Sequence, residues 1–158
     1  MFCYNIFITS GVISYRVLYI CCYVVWVVIP QYNHGERFEI DGYATDYFAA
    51  EAVKAIQANK HRPFFLYFSP SAIHSPLQAL KEDYDKLAYI DNHCDRVYAA
   101  MIVAVDRAVG KVLTTLRDEG IENNTLVILT SDNGSPNMVY QKRTNAPYRG
   151  WKATFFEG

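Results

Sequence analysis

The run LTSDNGSPN, residues 129–137, carries an apolar stretch directly into a carboxylate, a carboxamide and a glycine. Asp132 and Asn133 leave the end of that stretch together and offer two oxygen donors to one point. Hard divalent cations are held by donors of this kind. D-N-G is equally a favoured turn, and two donors alone do not define a metal site. On local grounds the turn is the simpler reading.

His74 stands in AIHSPLQ, where Pro76 stiffens the loop. A lone histidine is most often a satisfied core or surface residue, and it needs a partner before it can do chemistry. Lys152, in YRGWKATFFEG, lies among aromatics in a segment that reads as a partly buried strand. A lysine so placed has reason to meet an anion, with snorkelling of its ammonium to water as the plainer alternative. If the oxygen donors, the histidine and the lysine share one site, that site suits an anionic ester, whose nonbridging oxygens gain charge in the transition state. Spacing along the chain neither requires nor forbids their convergence.

Those residues must be positioned by regular elements. From Thr45 to Lys60, Phe48, Ala52 and Ile56 recur every four residues beside Ala49 and Val53, which predicts an amphipathic helix with Thr45 or Asp46 as N-cap. FFLYFS, 64–69, predicts a buried strand, and Pro70 and Pro76 then exclude regular structure from most of PSAIHSPLQAL. From Arg96 to Glu119, Val97, Met101, Val105, Val109 and Leu113 form a stripe widened by Ile102, Val112 and Leu116, and Gly120 supplies the stop. TLVILTS, 125–131, has the β-branched composition of a central strand buried on both faces. Helix, strand, loop, helix, strand is the order of an α/β fold with a mostly parallel sheet. Ligands in such sheets bind beyond the carboxyl ends of strands, and the loops after Ser69 and Ser131 both begin there.

With 158 residues, 51% hydrophobic and 15% aromatic, the chain can bury a core, and disorder is excluded. A net charge of −1 supplies no basic field for nucleic acid. Residues 1–29 contain one charged side chain, Arg16, and Val17–Ile29 is unbroken apolar sequence. A membrane span needs about 20 apolar residues and a secretory hydrophobic region about 7–15. The run fits the second length better, although neither a basic segment before it nor an A-x-A-like cleavage site near Pro30 is present. A signal anchor with membrane contact through residues 11–29, a segment foreign to the fold, and a buried strand or helix are the other readings. The last is weakened by the lack of polar alternation. Of four cysteines, Cys3, Cys21 and Cys22 lie in this segment and Cys94 lies in DNHC, so no disulfide framework is visible. Adjacent His93 and Cys94 do not readily share a tetrahedral ion, and DNHC reads as surface.

Four blocks stand in order along residues 41–158: GYATDYF, RPFFLYFSPSAIHSPLQ, YAAMIVAVDRAVGKVLTTLRDEGIENNTLVILTSDNG and NAPYRGWKATFFEG. In these blocks the chain resembles the sulfatase family, and within it the arylsulfatases of the B-like group. The resemblance implies an alkaline-phosphatase-like α/β fold and hydrolysis of a sulfated small molecule or glycan. It implies that Asp132 and Asn133 are two ligands of a calcium ion that clamps the sulfate oxygens. By the same likeness His74 contacts the sulfate and assists the leaving group, and Lys152 binds a sulfate oxygen. Asn123, in the sequon N-N-T, matches a frequent glycosylation position, and the compartment implied is the secretory pathway, lysosomal or extracellular.

The chain also departs from the family pattern. Family members carry an early strand ending in paired aspartates and a C-x-P-x-R-like motif whose cysteine becomes the formylglycine nucleophile. None of the four cysteines here has that context, and the paired aspartates are absent. The expectation is an internal piece of a sulfatase catalytic domain, residues 30–158, preceded by an apolar leader, residues 1–29, and lacking turnover by itself. Two rivals are a noncatalytic secreted or membrane-anchored protein of the same fold, and a phosphoesterase of the same superfamily. A sheet lacking its first strand would expose an edge, and the leader is the segment available to cover it. Oligomeric state is not readable.

Overall fold

The computed structural model describes residues 4–10, 16–21, 31–33, 36–137 and 144–158. In chain order the elements are β1 (Tyr4–Ser10), β2 (Arg16–Cys21), β3 (Gln31–Asn33), β4 (Glu36–Phe38), α1 (Ala44–Asn59), β5 (Phe64–Ser69), α2 (Lys81–Lys86), α3 (His93–Asp118) and β6 (Thr125–Ser131). One 3-10 turn, Glu122–Asn124, precedes β6.

Four strands form a sheet in the order β2-β5-β1-β6, and β3 and β4 make a separate antiparallel pair. β2 runs parallel to β5, whereas β1 runs antiparallel to both β5 and β6. Thus β2, β5 and β6 share one direction and β1 opposes them. Phe68 pairs with Ile6 and Ser131 with Tyr4, so β5 and β6 end at the same border of the sheet. Two interstrand steps separate those ends, roughly 10 Å. The loops that follow them start side by side.

Within residues 1–29, the strands β1 and β2 flank β5 on either side, so β5 presents no open edge. Ile6 and Ile8, two residues apart on β1, are fully buried, as alternate positions on one strand face must be together. Residues 11–15 and 22–30 lie outside the described residues, and with them most of the segment expected to contact a membrane. Among the described residues no helix is long and apolar enough to cross a membrane.

The core forms where one face of the sheet meets two helices. Ile6, Ile8, Phe64, Leu66 and Phe68 pack against Phe48, Ala52 and Ile56 of α1 and Ala108, Val112 and Leu116 of α3. Of the stripe expected on α3, Met101, Val105, Val112 and Leu116 are buried as predicted and Ile102 is exposed, while Ala100, Ala104 and Ala108 are buried beside them. Small side chains let the helix lie close to its neighbours, and the alanines take the inward face that a count of large residues overlooked. A second cluster joins Ala72 and Ile73 to Tyr98, Met101 and Val105. The first half of α3 therefore carries the loop after β5, and its second half carries the sheet.

β6 departs from expectation. Among the described residues it is an edge strand, with Leu126 at 59% and Ile128 at 47% exposed, because β1 is its one partner there and the helices cover the opposite face of the sheet. α1 starts at Ala44 with Tyr43 in the capping position and no side-chain cap, in place of Thr45 or Asp46. Thr45 is buried and Asp46 is engaged elsewhere. DNHC opens α3: Asn92 Oδ1 accepts from the Asp95 backbone N–H at 3.0 Å, and Cys94 is a free, exposed thiol. Gly120, at φ +70°, ends α3 in the left-handed conformation, with Ile121 N–H bonded to the Leu116 carbonyl at 3.0 Å.

The helices are held together by ions as well as by apolar contact. Arg107 Nε and Nη2 donate to the two carboxylate oxygens of Asp46 at 3.0 and 2.8 Å, and Nη1 donates to Asp83 Oδ2 at 2.7 Å. Lys111 adds a bond to Asp46 at 3.1 Å and Lys86 one to Asp83 at 3.4 Å. The Asp83 side chain is fully buried. Hydrogen bonding from Arg107 holds the Asp46 carboxyl below its ordinary range despite the opposing effect of burial. Tyr43, whose phenol burial pushes upward, donates from its hydroxyl to the Gln78 carbonyl at 3.0 Å and ties the start of α1 to the loop after β5.

Arg107→Ala strands the buried Asp83 charge and should lower unfolding free energy by roughly 3 kcal/mol in urea titration, the low end for a broken buried pair because Lys86 remains. Asp46 also sets a pH dependence. Its folded pKa lies below the unfolded value near 3.8, so its contribution is complete above that value and is lost as pH falls through the folded pKa. Asp46→Asn should accordingly show a shallower loss of stability than the parent between about pH 5 and about pH 2 in acid titration followed by circular dichroism.

Candidate functional site

His74 is presented by a loop that is anchored on both sides. Its backbone N–H bonds to the Ser71 carbonyl at 2.9 Å, Ile73 is buried against α3, and Gln78 is held by Tyr43. Nδ1 lies 2.5 Å from the Ser75 carbonyl oxygen. A carbonyl accepts only, so this contact assigns the hydrogen to Nδ1. Nε2 is left as the nitrogen that can accept a proton or, once protonated, donate one.

The loop after β6 carries Asp132, which is exposed, and Asn133, which is half-buried. Ser131 Oγ donates to the Asn133 carbonyl at 2.7 Å, and Asn133 Nδ2 donates to the Gly134 carbonyl at 3.2 Å. Gly134 is required for a reason other than a sharp turn: the Gly158 carbonyl carbon occupies the space a Cβ would take. Asp132 and Asn133 match calcium in donor type. Calcium takes six to eight oxygens, however, and among the described residues no cluster of three His, Cys, Asp or Glu could hold a metal.

Lys152 is set in turns, where a strand was expected. Gly150 adopts φ +92°, and a Cβ there would meet Thr154 Oγ1 at 2.5 Å and Phe156 Cβ at 2.7 Å, so the chain folds back on itself and cannot extend. The turn is joined to the loop after β6. Asn145 Oδ1 accepts from Ser135 N–H at 2.7 Å, while its Nδ2 donates to the carbonyls of Gly150 at 3.1 Å and Ser135 at 3.4 Å. Lys152 N–H donates to the same Ser135 carbonyl at 3.1 Å. Through Asn145 the backbone carrying Lys152 and the backbone following Asp132 and Asn133 are held as one piece.

His74 and Lys152 line a single cleft of about 520 Å³, together with Tyr98, Trp151, Leu77 and Asn137. Lys152 is half-buried and has no carboxylate partner among the described residues. Asp132 and Asn133 do not line the cleft, although Pro136 and Asn137 of the same loop do. His74 also borders a smaller cavity of about 220 Å³ with Tyr43, Thr45 and Gln78. Asn123 is exposed on the 3-10 turn, remote in the sequence from every residue of the cleft. Reasoning from residue types passed over Trp151, Tyr98 and Asn145. Trp151 adjoins a candidate lysine in an aromatic segment and could have been singled out, whereas nothing near Tyr98 or Asn145 distinguishes a wall or a clamp from ordinary helix and loop.

A family model described as Sulfatase matches residues 15–154. The chain is similar to mouse (Mus musculus) arylsulfatase J, at 39% identity over 97 residues, covering 61% of this chain and 16% of that protein. It is also similar to human (Homo sapiens) N-acetylgalactosamine-6-sulfatase, at 31% identity over 141 residues, covering 84% of this chain and 26% of the relative. Rat (Rattus norvegicus) steryl-sulfatase is 35% identical over 133 residues, which are 77% of this chain and 22% of that one. Among solved structures, Ps i-CgsB in complex with k-i-k-neocarrahexaose superposes with a TM-score of 0.58 at 38% identity, covering 61% of this chain and 22% of the other. The chain thus spans about a quarter or less of the length of these relatives. The strand and helix order, the incomplete alkaline-phosphatase-like sheet and the match over residues 15–154 together establish that the chain belongs to the sulfatase family.

Proposed function

We propose that the cleft between the loop after β5 and the Lys152 turn receives the sulfate group of a sulfate ester, as part of a sulfuric-ester hydrolase site. The observation that carries this is a half-buried lysine without a carboxylate partner among the described residues, lining the same cleft as a histidine whose tautomer is fixed. The Lys152 ammonium binds a nonbridging oxygen, where charge-assisted bonds are strongest. His74 Nε2 contacts the sulfate and holds the proton that the departing alkoxide oxygen needs.

Asp132 and Asn133 contribute two oxygen ligands to a calcium site, and among the described residues no group of three His, Cys, Asp or Glu completes it. When bound, such a cation polarises the sulfate oxygens. The attacking group in the family is a formylglycine made from a cysteine, and no cysteine of this sequence has the matching motif. On this reading the polypeptide binds sulfate without sustaining turnover. Exposed Asn123 serves as a glycan acceptor in a secretory compartment, lysosomal or extracellular. A noncatalytic sulfate-binding role of the chain follows from the same cleft and requires no nucleophile.

Isothermal titration of the 158-residue chain with inorganic sulfate should give weak binding, on the order of millimolar, that falls roughly tenfold or more in Lys152→Ala and in His74→Ala. Affinity unchanged in both variants would remove the cleft from the sulfate site. Incubation with an aryl sulfate should give no sustained release of alcohol. Steady hydrolysis abolished by His74→Ala would overturn the absence of turnover while supporting the site.

A further inference from the structure

The cleft is much larger than a tetrahedral oxyanion, and most of its wall is apolar. Trp151 and Ala153 come from the turn, Ile73 and Leu77 from the loop after β5, and Tyr98 from α3. At about 520 Å³ it falls in the range of sites that enclose small organic molecules, about 300–1,000 Å³. Ile73 and Tyr98 are 3% and 5% exposed and already packed, whereas Trp151 keeps 44% of its surface open. The indole is thus the wall element with most surface still to bury.

Its backbone is also fixed in advance. Trp151 N–H donates to Thr154 Oγ1 at 3.0 Å, and the Trp151 carbonyl accepts from Thr154 N–H at 3.0 Å and from Thr154 Oγ1 at 2.6 Å. Gly150, at φ +92°, closes the turn on the other side. A contact made by a backbone so restrained gives up little conformational freedom on binding. Trp151 and Lys152 are consecutive, with Cα atoms about 3.8 Å apart. One small ester can meet an ammonium through its sulfate and an aromatic face through its carbon skeleton.

We propose that Trp151 is the specificity-determining residue of the cleft, selecting sulfate esters of ring-bearing alcohols by receiving the ring against its indole while the sulfate sits at Lys152 and His74. This rests on the sulfate-binding function proposed above. An open-chain ester presents no flat face to the indole and gains only partial contact. A ring gains the offset-stacked or edge-to-face geometry that aromatic surfaces prefer.

The test is calorimetric titration of the full chain with phenyl sulfate, methyl sulfate and inorganic sulfate, with folding of each variant checked by circular dichroism. The parent should bind phenyl sulfate about three- to tenfold more tightly than methyl sulfate. Trp151→Phe should keep most of that preference, Trp151→Leu should lose it while keeping apolar bulk, and neither should change affinity for inorganic sulfate. Equal affinity for the two esters in the parent, or a preference that survives in Trp151→Leu, overturns the assignment. Loss of inorganic sulfate binding in Lys152→Ala within the same series shows that the sulfate site stands regardless. Failure of the parent to bind any of the three anions ends both proposals together.

Discussion

The guanidinium of Arg107 bridges three helices. It is bidentate to Asp46 at the start of α1 and makes a third bond to Asp83 on α2, from a position near the middle of α3. A planar fork can serve two carboxylates in different directions at once, which the point charge of a lysine cannot do with the same geometry. The contact sets where α1 lies along α3, and therefore which residues of both helices face Phe64, Leu66 and Phe68. It also fixes α2, which closes the loop that begins at Pro70. Tyr43, three residues before Asp46, then reaches the Gln78 carbonyl from the same corner. The platform under His74 depends on this corner as much as on the apolar cluster beneath Ile73.

Much of this framework is written locally. FFLYFS is a strand with alternate residues buried, and the four-residue recurrence from Phe48 to Ile56 is a helix face. Periodicity found Met101, Val105, Val112 and Leu116 on α3 and missed what side-chain size hides: Ala100, Ala104 and Ala108 look neutral in sequence and are buried beside them. Composition failed for β6, whose β-branched run specifies a strand without specifying what covers it. A sheet in an α/β fold ordinarily carries helices on both faces. Among the described residues Leu126 and Ile128 occupy a face without that cover. The roles of Tyr4–Ser10 and Arg16–Cys21 as partners of β5 were equally unreadable, because register is a property of two strands and the alternation that announces one is missing.

The candidate site was legible in its parts and not in its assembly. His74 and Lys152 each have a plain alternative in the sequence; the fold lines one cleft with both, and that convergence depends on β5 and β6 ending at the same border of the sheet. The family resemblance supplied what spacing could not, because it carries the outcome of a complete sheet into a chain that shows part of one. The cleft wall itself, formed by Trp151, Tyr98 and Leu77, emerges only from packing.

Asn145 has a consequence beyond holding two backbones together. Its bonds all go to backbone atoms, of Ser135 and of Gly150, so the tie draws on a single side chain. Exchange of the Ser135 side chain leaves the bonding atoms in place, whereas exchange of Asn145 removes a donor and an acceptor at once. The Lys152 side of the cleft is thus tied through a residue that does not itself line the cleft.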